Sequence, residues 1–395
     1  MSEGKTSKGR VLSGMRPTGK LHLGNYVGAL RNWVGLQNDY ECFFFIADWH
    51  ALTTDYADTR AIKQNSLEVI LDYLAAGLDP GRSTLFIQSH VPQHAELHLL
   101  FSMVTPLGWL ERVPSYKEQR ENLKDRDLGT YGFLGYPLLQ AADILIYQAN
   151  FVPVGEDQVP HVELTREVAR RFNQFYPLGK VSQEHTRTER LTPEQRQWLV
   201  EQGRPIEPDM AYTFFVEQPH PKYHKTFVFP EPQPLLTPAA KLPGTDGRKM
   251  SKSYGNTLLM SEPEPSLRQK LKTMVTDPAR IRRTDPGDPD KCPVGDLHKI
   301  FSSQETMAKV YDGCRTAGIG CIECKSWATD SLWRVLEPMQ ERRHAYEANP
   351  KLAWDVLEAG SAKARKVAEA TMVEAREAAN LSHQYEPPAQ SAESS

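Results

Sequence analysis

Disulfide material is scarce here. Five cysteines in 395 residues are too few to staple a chain this long. Long apolar runs are missing too: nothing approaches the eighteen or so residues of a membrane-spanning helix. The first residues, Met1 to Lys8, lack the apolar segment of a secretory signal. Net charge is small, with 47 Lys+Arg against 50 Asp+Glu for a formal −3. No global field draws the chain to nucleic acid, so any such binding must come from local basic clusters. What remains, 39% apolar and 25% charged, predicts a soluble cytoplasmic protein long enough for two domains.

The first informative stretch is Leu12 to Leu30. Apolar residues give way at Arg16-Pro17-Thr18-Gly19, and a helix is predicted from His22-Leu23-Gly24-Asn25. Strand, glycine-bearing turn and helix start aim backbone N–H groups at an anion, and His22 and Asn25 add donors. The apolar runs Glu41–Asp48 and Thr84–Ser89 read as central strands of a parallel sheet, with a helix over Arg60–Ala76 between them. That is the βαβ unit of a doubly wound α/β fold. Its ligands sit at the strands' carboxyl ends, near Gly14, Asp48-Trp49-His50 and Gln88.

A helix predicted from about Pro137 to Ala149 places Tyr136, Gln140 and Asp143 on one face among aliphatic neighbours. Such a stripe suits the wall of a pocket for a mostly apolar ligand. Strand Phe151–Val154 and Gly155-Glu156-Asp157-Gln158 follow, then an amphipathic helix. Acids at that helix start suit ribose hydroxyls better than phosphate. Residues 178–224 read as a surface insertion with a short helix from Thr192, and the prolines around His220 and His224 argue against a metal site there. The loop Lys249-Met250-Ser251-Lys252-Ser253 reads as a mobile phosphate clamp. Past residue 260 the pattern is helical, entered through a basic loop with Arg280, Arg282 and Arg283. The boundaries expected are an α/β catalytic domain over 1–258, an α-helical domain over 259–381, and a disordered tail over 382–395.

Pro17-x4-His22-Leu23-Gly24-Asn25 followed by Lys249-Met250-Ser251-Lys252-Ser253 resembles the paired signatures of class I aminoacyl-tRNA synthetases, with HLGN where that class has HIGH. Ser13-Gly14-x-x-Pro17, Ala47-Asp48-x-His50-Ala-Leu-Thr53 and Val152-Pro-Val-Gly-Glu-Asp-Gln158 are similar to bacterial tryptophanyl-tRNA synthetases. The resemblance covers roughly residues 10–177 and 225–381. It implies a Rossmann-like catalytic domain with an anticodon-binding domain, forming tryptophanyl-adenylate from L-tryptophan and ATP and passing the aminoacyl group to tRNA(Trp), in a homodimer. His22, Asn25, Lys249 and Lys252 would carry the phosphate chemistry, with Mg²⁺ sharing the charge of pyrophosphate. Arg16, Pro17, Thr18, Gly24, Gly155, Glu156, Asp157, Met250, Ser251 and Ser253 would complete the ATP site. Asp143 would accept the indole N–H, with Tyr136, Gln140, His50, Gln158 and Gly14 around the amino acid. Arg280, Arg282 and Arg283 would meet tRNA. Gln140 departs from the tryptophan pattern, which has Met there, and Tyr-x3-Gln-x2-Asp also occurs in the sister tyrosine enzymes.

The cysteines run Cys292-x21-Cys314-x6-Cys321-x2-Cys324. Structural zinc sites usually pair two close knuckles and only one exists here, so a [4Fe–4S] cluster is expected, with Zn²⁺ the alternative. A subset of tryptophanyl-tRNA synthetases carries nearly this pattern with such a cluster in the anticodon-binding domain. Competing readings are a tyrosyl-tRNA synthetase, a nucleotidyltransferase acting outside tRNA charging, which has no need of a large helical domain, and an iron–sulfur nucleic-acid-binding regulator, which has no need of the lysine loop.

Overall fold

A computed structural model describes residues 7–114, 129–237 and 242–382. Its centre is a five-stranded, all-parallel sheet in the order β3-β2-β1-β4-β7. The strands are β1 (Arg10–Met15), β2 (Glu41–Ile46), β3 (Ser83–Ile87), β4 (Phe151–Val154) and β7 (Gln233–Leu236). β1 runs in register with β2 from Arg10↔Glu41 to Met15↔Ile46. Alternate side chains feed two cores. Val11, Phe44, Ile46, Leu85 and Ile87 face one side, and Leu12, Phe43, Phe45 and Phe86 the other. Burial on both faces explains the unbroken apolar runs. The chain moves outward from β1 to β3, then returns to β4 on β1's other side. That reversal opens a crevice at the carboxyl ends of β1 and β4, where such sheets bind ligands.

Helices cover both faces. After β1 come α1 (Leu23–Asn25), a π-helical stretch Tyr26–Leu30, and α2 (Arg31–Leu36). They are followed by α3 (Asp48–Asp55), α4 (Ile62–Ala76), α5 (Gln93–Val104), α6 (Leu107–Glu111), α7 (Tyr131–Ile146) and α8 (Val159–Phe175). α7 starts six residues before Pro137, because Thr130 caps it by accepting the Phe133 N–H; the proline sits inside. Residues 178–224 hold an antiparallel pair, β5 (Lys180–Arg187) and β6 (Ala211–Gln218), with α9 (Pro193–Glu201) between them. Thr192 and Gln195 form its capping box.

The C-terminal part is helical as expected: α10 (Glu264–Thr273), α11 (Pro293–Phe301), α12 (Gln304–Arg315), α13 (Cys321–Ala348) and α14 (Pro350–Ala378). The last of these crosses the β3 edge of the sheet. A Cβ at Gly360 would lie 1.8 Å from the Leu85 carbonyl oxygen, so the helix approaches the strand this closely only through glycine. Leu357 joins one core and Ala364, Ala368 and Met372 the other. No described helix is long and apolar enough to cross a membrane. Residues 383–395, most of the expected tail, lie outside the described residues.

Candidate active site

Two adjoining cavities occupy the crevice and share Met15 and Arg16. The first, about 390 Å³, is lined by Gly14, Trp33, Phe45, His50, Tyr136, Gln140, Asp143, Val154, Gly155 and Gln158 among others. The second, about 730 Å³, is lined by Pro17, Thr18, Asn25, Asn65, Lys252 and Ser253 among others. Apolar walls with a few converging polar groups make the first a side-chain pocket. Gly14 is needed there, since a Cβ would sit 2.7 Å from the Phe45 ring.

At the floor of the first cavity Asp143 is 1% exposed. Its Oδ2 lies 2.8 Å from His50 Nε2. Its Oδ1 accepts from Gln88 Nε2 at 2.7 Å and faces His94 Nδ1 at 2.6 Å. Burial alone would push this carboxyl up, but His50 and His94 outweigh it and hold it at about 2. An ionised, enclosed carboxylate can only accept, so the site is suited to a ligand N–H. Tyr136 packs on the His161 ring at 5.7 Å. Glu156 and Asp157 stand on an exposed turn beside this pocket, with Gln158 Nε2 donating to Asp157 at 3.0 Å.

The phosphate side is built differently. His22 and Asn25 form a reciprocal capping box: Asn25 N–H donates to His22 Nδ1 at 3.3 Å and His22 N–H to Asn25 Oδ1 at 3.1 Å. Burial, with Lys252 nearby, lowers the His22 imidazole to about 4, so the ring is neutral at ordinary pH. Gly24 packs against that ring; a Cβ there would lie 2.9 Å from it. The segment's entry is set by Asp72, which accepts the Leu21 N–H at 2.7 Å and pairs with the buried Arg343 of α13 at 2.5 Å. Strand-like pairing of His22 with Leu259 ties it to the chain just after the lysine loop.

Lys252 Nζ donates to the Thr18 carbonyl at 2.8 Å, and partial burial lowers its pKa. Asn256 holds the loop's base, accepting from Ser251 N–H at 2.8 Å and donating to the Lys249 carbonyl at 3.2 Å. Met250 is buried, Lys249 exposed, and Ser251 and Ser253 bond each other at 2.9 Å. Arg16 lies between the cavities, on Asp55 at 3.1 Å and also on Thr54.

The four clustered cysteines lie just before α11 (Cys292), in α12 (Cys314) and in the first turn of α13 (Cys321 and Cys324), far along the chain from this crevice. Cys324 is pushed up to about 12 by burial, with Cys292, Cys314 and Cys321 adding to the rise. Polar groups stand beside two of the sulfurs: Arg280 Nη1 is 3.7 Å from Cys314 Sγ, and His298 Nε2, 3.1 Å from the Cys324 carbonyl, is 3.4 Å from Cys324 Sγ. Arg280 Nε is buried with no partner among the described residues, which suits an anionic thiolate-bound group. Among the described residues, however, no three ligand side chains stand in metal-holding geometry.

The three arginines of the basic loop are placed differently. Arg280 is 8% exposed, its Nη2 donating to the Arg283 and Ile319 carbonyls at 3.0 and 2.6 Å. Arg282 and Arg283 are exposed.

The chain matches the family described as tRNA synthetases class I (W and Y) over residues 4–196 and 214–337. It belongs to that family. Among curated relatives, the Tryptophan--tRNA ligase of Ralstonia nicotianae is 53% identical, spanning 95% of this chain and 99% of its own. That of Thermotoga maritima is 47% identical over 94% and 99%. Among solved structures, tryptophanyl-tRNA synthetase from Campylobacter jejuni, complexed with ADP and tryptophan, superposes with a TM-score of 0.74 at 30% identity, over 94% of this chain and all of its own. A tyrosyl-tRNA synthetase from Archaeoglobus fulgidus, at 19% identity and TM-score 0.56, shares the fold. Sequence reasoning missed His94 and Tyr147 behind Asp143, and the Asp72–Arg343 tie behind the His22 segment.

Proposed function

We propose that the protein is an ATP-dependent tryptophan–tRNA ligase acting in the cytoplasm. The observation that carries this reading is the ionised, enclosed Asp143 in a largely apolar cavity that shares Met15 and Arg16 with the cavity lined by Asn25 and Lys252. L-Tryptophan enters the first cavity with its indole N–H on Asp143, Tyr136 and Gln158 near its ammonium end. ATP, brought with Mg²⁺ as substrate, lies in the second. The tryptophan carboxylate oxygen attacks the α-phosphorus, the bond to the bridging oxygen breaks, and pyrophosphate leaves. The Asn25 side chain and neutral His22 hold the phosphates, while Lys252 and Lys249 follow the charge onto pyrophosphate. The 3′-terminal ribose hydroxyl of tRNA(Trp) then attacks the tryptophanyl carbonyl and AMP departs. Positioning and charge stabilisation carry both steps, so no protein nucleophile is needed.

Incubation with ATP, tryptophan and tRNA tests this reading. Tryptophanyl-tRNA is expected. An adenylate with uncharged tRNA would favour a nucleotidyltransferase, and absence of any adenylate a nucleic-acid-binding regulator.

Two finer assignments belong here. Cys292, Cys314, Cys321 and Cys324 would hold a [4Fe–4S] cluster, or zinc at the same thiolates, as a staple fixing the loop that leads to Arg282 and Arg283. The convergence of the four thiols and the polar groups of Arg280 and His298 support it. Anaerobic preparations should contain iron and acid-labile sulfide; colourless protein with one zinc would overturn the cluster. The chain would pair as a homodimer through Leu99, Met103, Leu107 and Tyr131, exposed apolar residues on α5, α6 and α7. Sedimentation at a monomer mass would reject it.

A further inference from the structure

We propose that His94 and Tyr147 form a buried positioning relay that commits one oxygen of Asp143 to the protein and leaves the other for the ligand N–H. The inference rests on Asp143 being the indole acceptor and adds what makes it selective.

The two carboxylate oxygens have different surroundings. A carboxylate offers about four lone-pair sites, two per oxygen. Oδ1 has two partners, Gln88 Nε2 at 2.7 Å and His94 Nδ1 at 2.6 Å. Among the described residues Oδ2 has one, His50 Nε2 at 2.8 Å. His50 lines the cavity with Asp143, while His94 and Gln88 lie behind it. The fourth site is therefore on Oδ2, at the ligand side.

His94 is fully buried on α5, and three rings fix its plane: Phe45 at 6.1 Å, Phe86 at 6.2 Å and Tyr147 at 5.3 Å. Its Nε2 lies 2.7 Å from the Tyr147 hydroxyl, just past the end of α7. Proton bookkeeping then has one solution for a neutral ring. Ionised Asp143 accepts only, so Nδ1 carries the hydrogen. Nε2 is left as an acceptor, filled by the Tyr147 O–H, which burial and the nearby Asp143 charge keep protonated. The carboxylate thus sets the tautomer, and the hydroxyl, by filling Nε2, holds the ring against Oδ1, as a partner behind a metal-bound histidine does. Gln88 is pinned in turn, its Oε1 accepting from Trp49 N–H at 3.1 Å. A carboxylate held this way cannot rotate to suit a ligand without an N–H, and such a ligand leaves a buried charge short of a partner.

The experiment compares kcat/KM in ATP–pyrophosphate exchange for tryptophan and for β-(3-benzothienyl)alanine, which keeps the ring shape but replaces N–H with sulfur. The ratio of the two is the readout; loss of packing alone would lower both substrates together. His94→Leu should reduce the ratio by about tenfold or more, the scale of a hydrogen bond to a charged group. His94→Asn keeps a donor near the Nδ1 position and should retain most of the ratio. Tyr147→Phe removes a single oxygen and should lower it by a few-fold. If His94→Leu does not fold, Tyr147→Phe and His94→Asn carry the test. Asp143→Asn should collapse the ratio. If it does not, the reading of Asp143 as acceptor is wrong. If it does while His94→Leu or Tyr147→Phe leaves the ratio unchanged, the relay is overturned. A loss in His94→Asn as large as in His94→Leu also overturns it.

Discussion

The two halves of the crevice solve opposite problems. Around Asp143 every polar partner sits on, or at the end of, a regular element, with Gln88 and His94 buried and His50 half-buried at the cavity wall, so the acceptor is set before any ligand arrives. Around Lys252 the contacts are few and at the surface: Nζ on the Thr18 carbonyl, Lys249 in solvent, and Asn256 gripping only the loop's base. Recognition of one N–H needs a rigid carboxylate. A clamp on ATP must open to admit it and release pyrophosphate. On the proposed reading, one side holds its acceptor fixed and the other leaves its lysines room to follow the phosphates.

The largest effect that could break this contrast is at Asp143. Asp143→Ala should lower kcat/KM for tryptophan by about 10³-fold or more, with KM for ATP little changed. An equal fall in ATP affinity would mean that the two halves are not separable. Lys252→Ala should do the converse: about 10²-fold off kcat for adenylate formation, with tryptophan affinity from equilibrium dialysis intact.

Titration sharpens the contrast. His22 is held at about 4, below the ordinary histidine value, so between roughly pH 4 and 6.5 the unfolded chain binds the extra proton. Its contribution to stability is complete above that window and is lost as pH falls through it. Urea midpoints at pH 7 and pH 4.5 should therefore differ more for the natural chain than for His22→Asn. Asp143, at about 2, keeps its charge throughout, so neither group should put an inflection in the exchange rate between about pH 5 and 8. The smallest effect is expected at Arg282→Glu. Aminoacylation should weaken several-fold and lose part of its salt dependence, while tryptophan-dependent exchange is untouched.

How legible each part was depended on whether its signal was local. β1 to β4 announce themselves as apolar runs because both faces of a parallel sheet are buried. Asp143 stood out as a charge inside an aliphatic helix, and the His22 and Lys252 motifs as paired signatures. β7 was hidden by Pro232 and Pro234, tolerated because it lies at the sheet's edge. β5 was hidden by its charge, since most of its side chains are exposed. Pro137 drew the predicted start of α7 six residues late. Arg280 reads as one of three basic neighbours, and only the fold turns it inward. His94 has no periodic or motif signal at all; a contact 49 residues away makes it part of the site.

On the proposed reading, the Asp143 pocket chooses tryptophan. ATP–pyrophosphate exchange measured side by side with L-tryptophan and L-tyrosine tests it most directly. Exchange should depend on tryptophan, with tyrosine near background; exchange supported by tyrosine alone would contradict the claim.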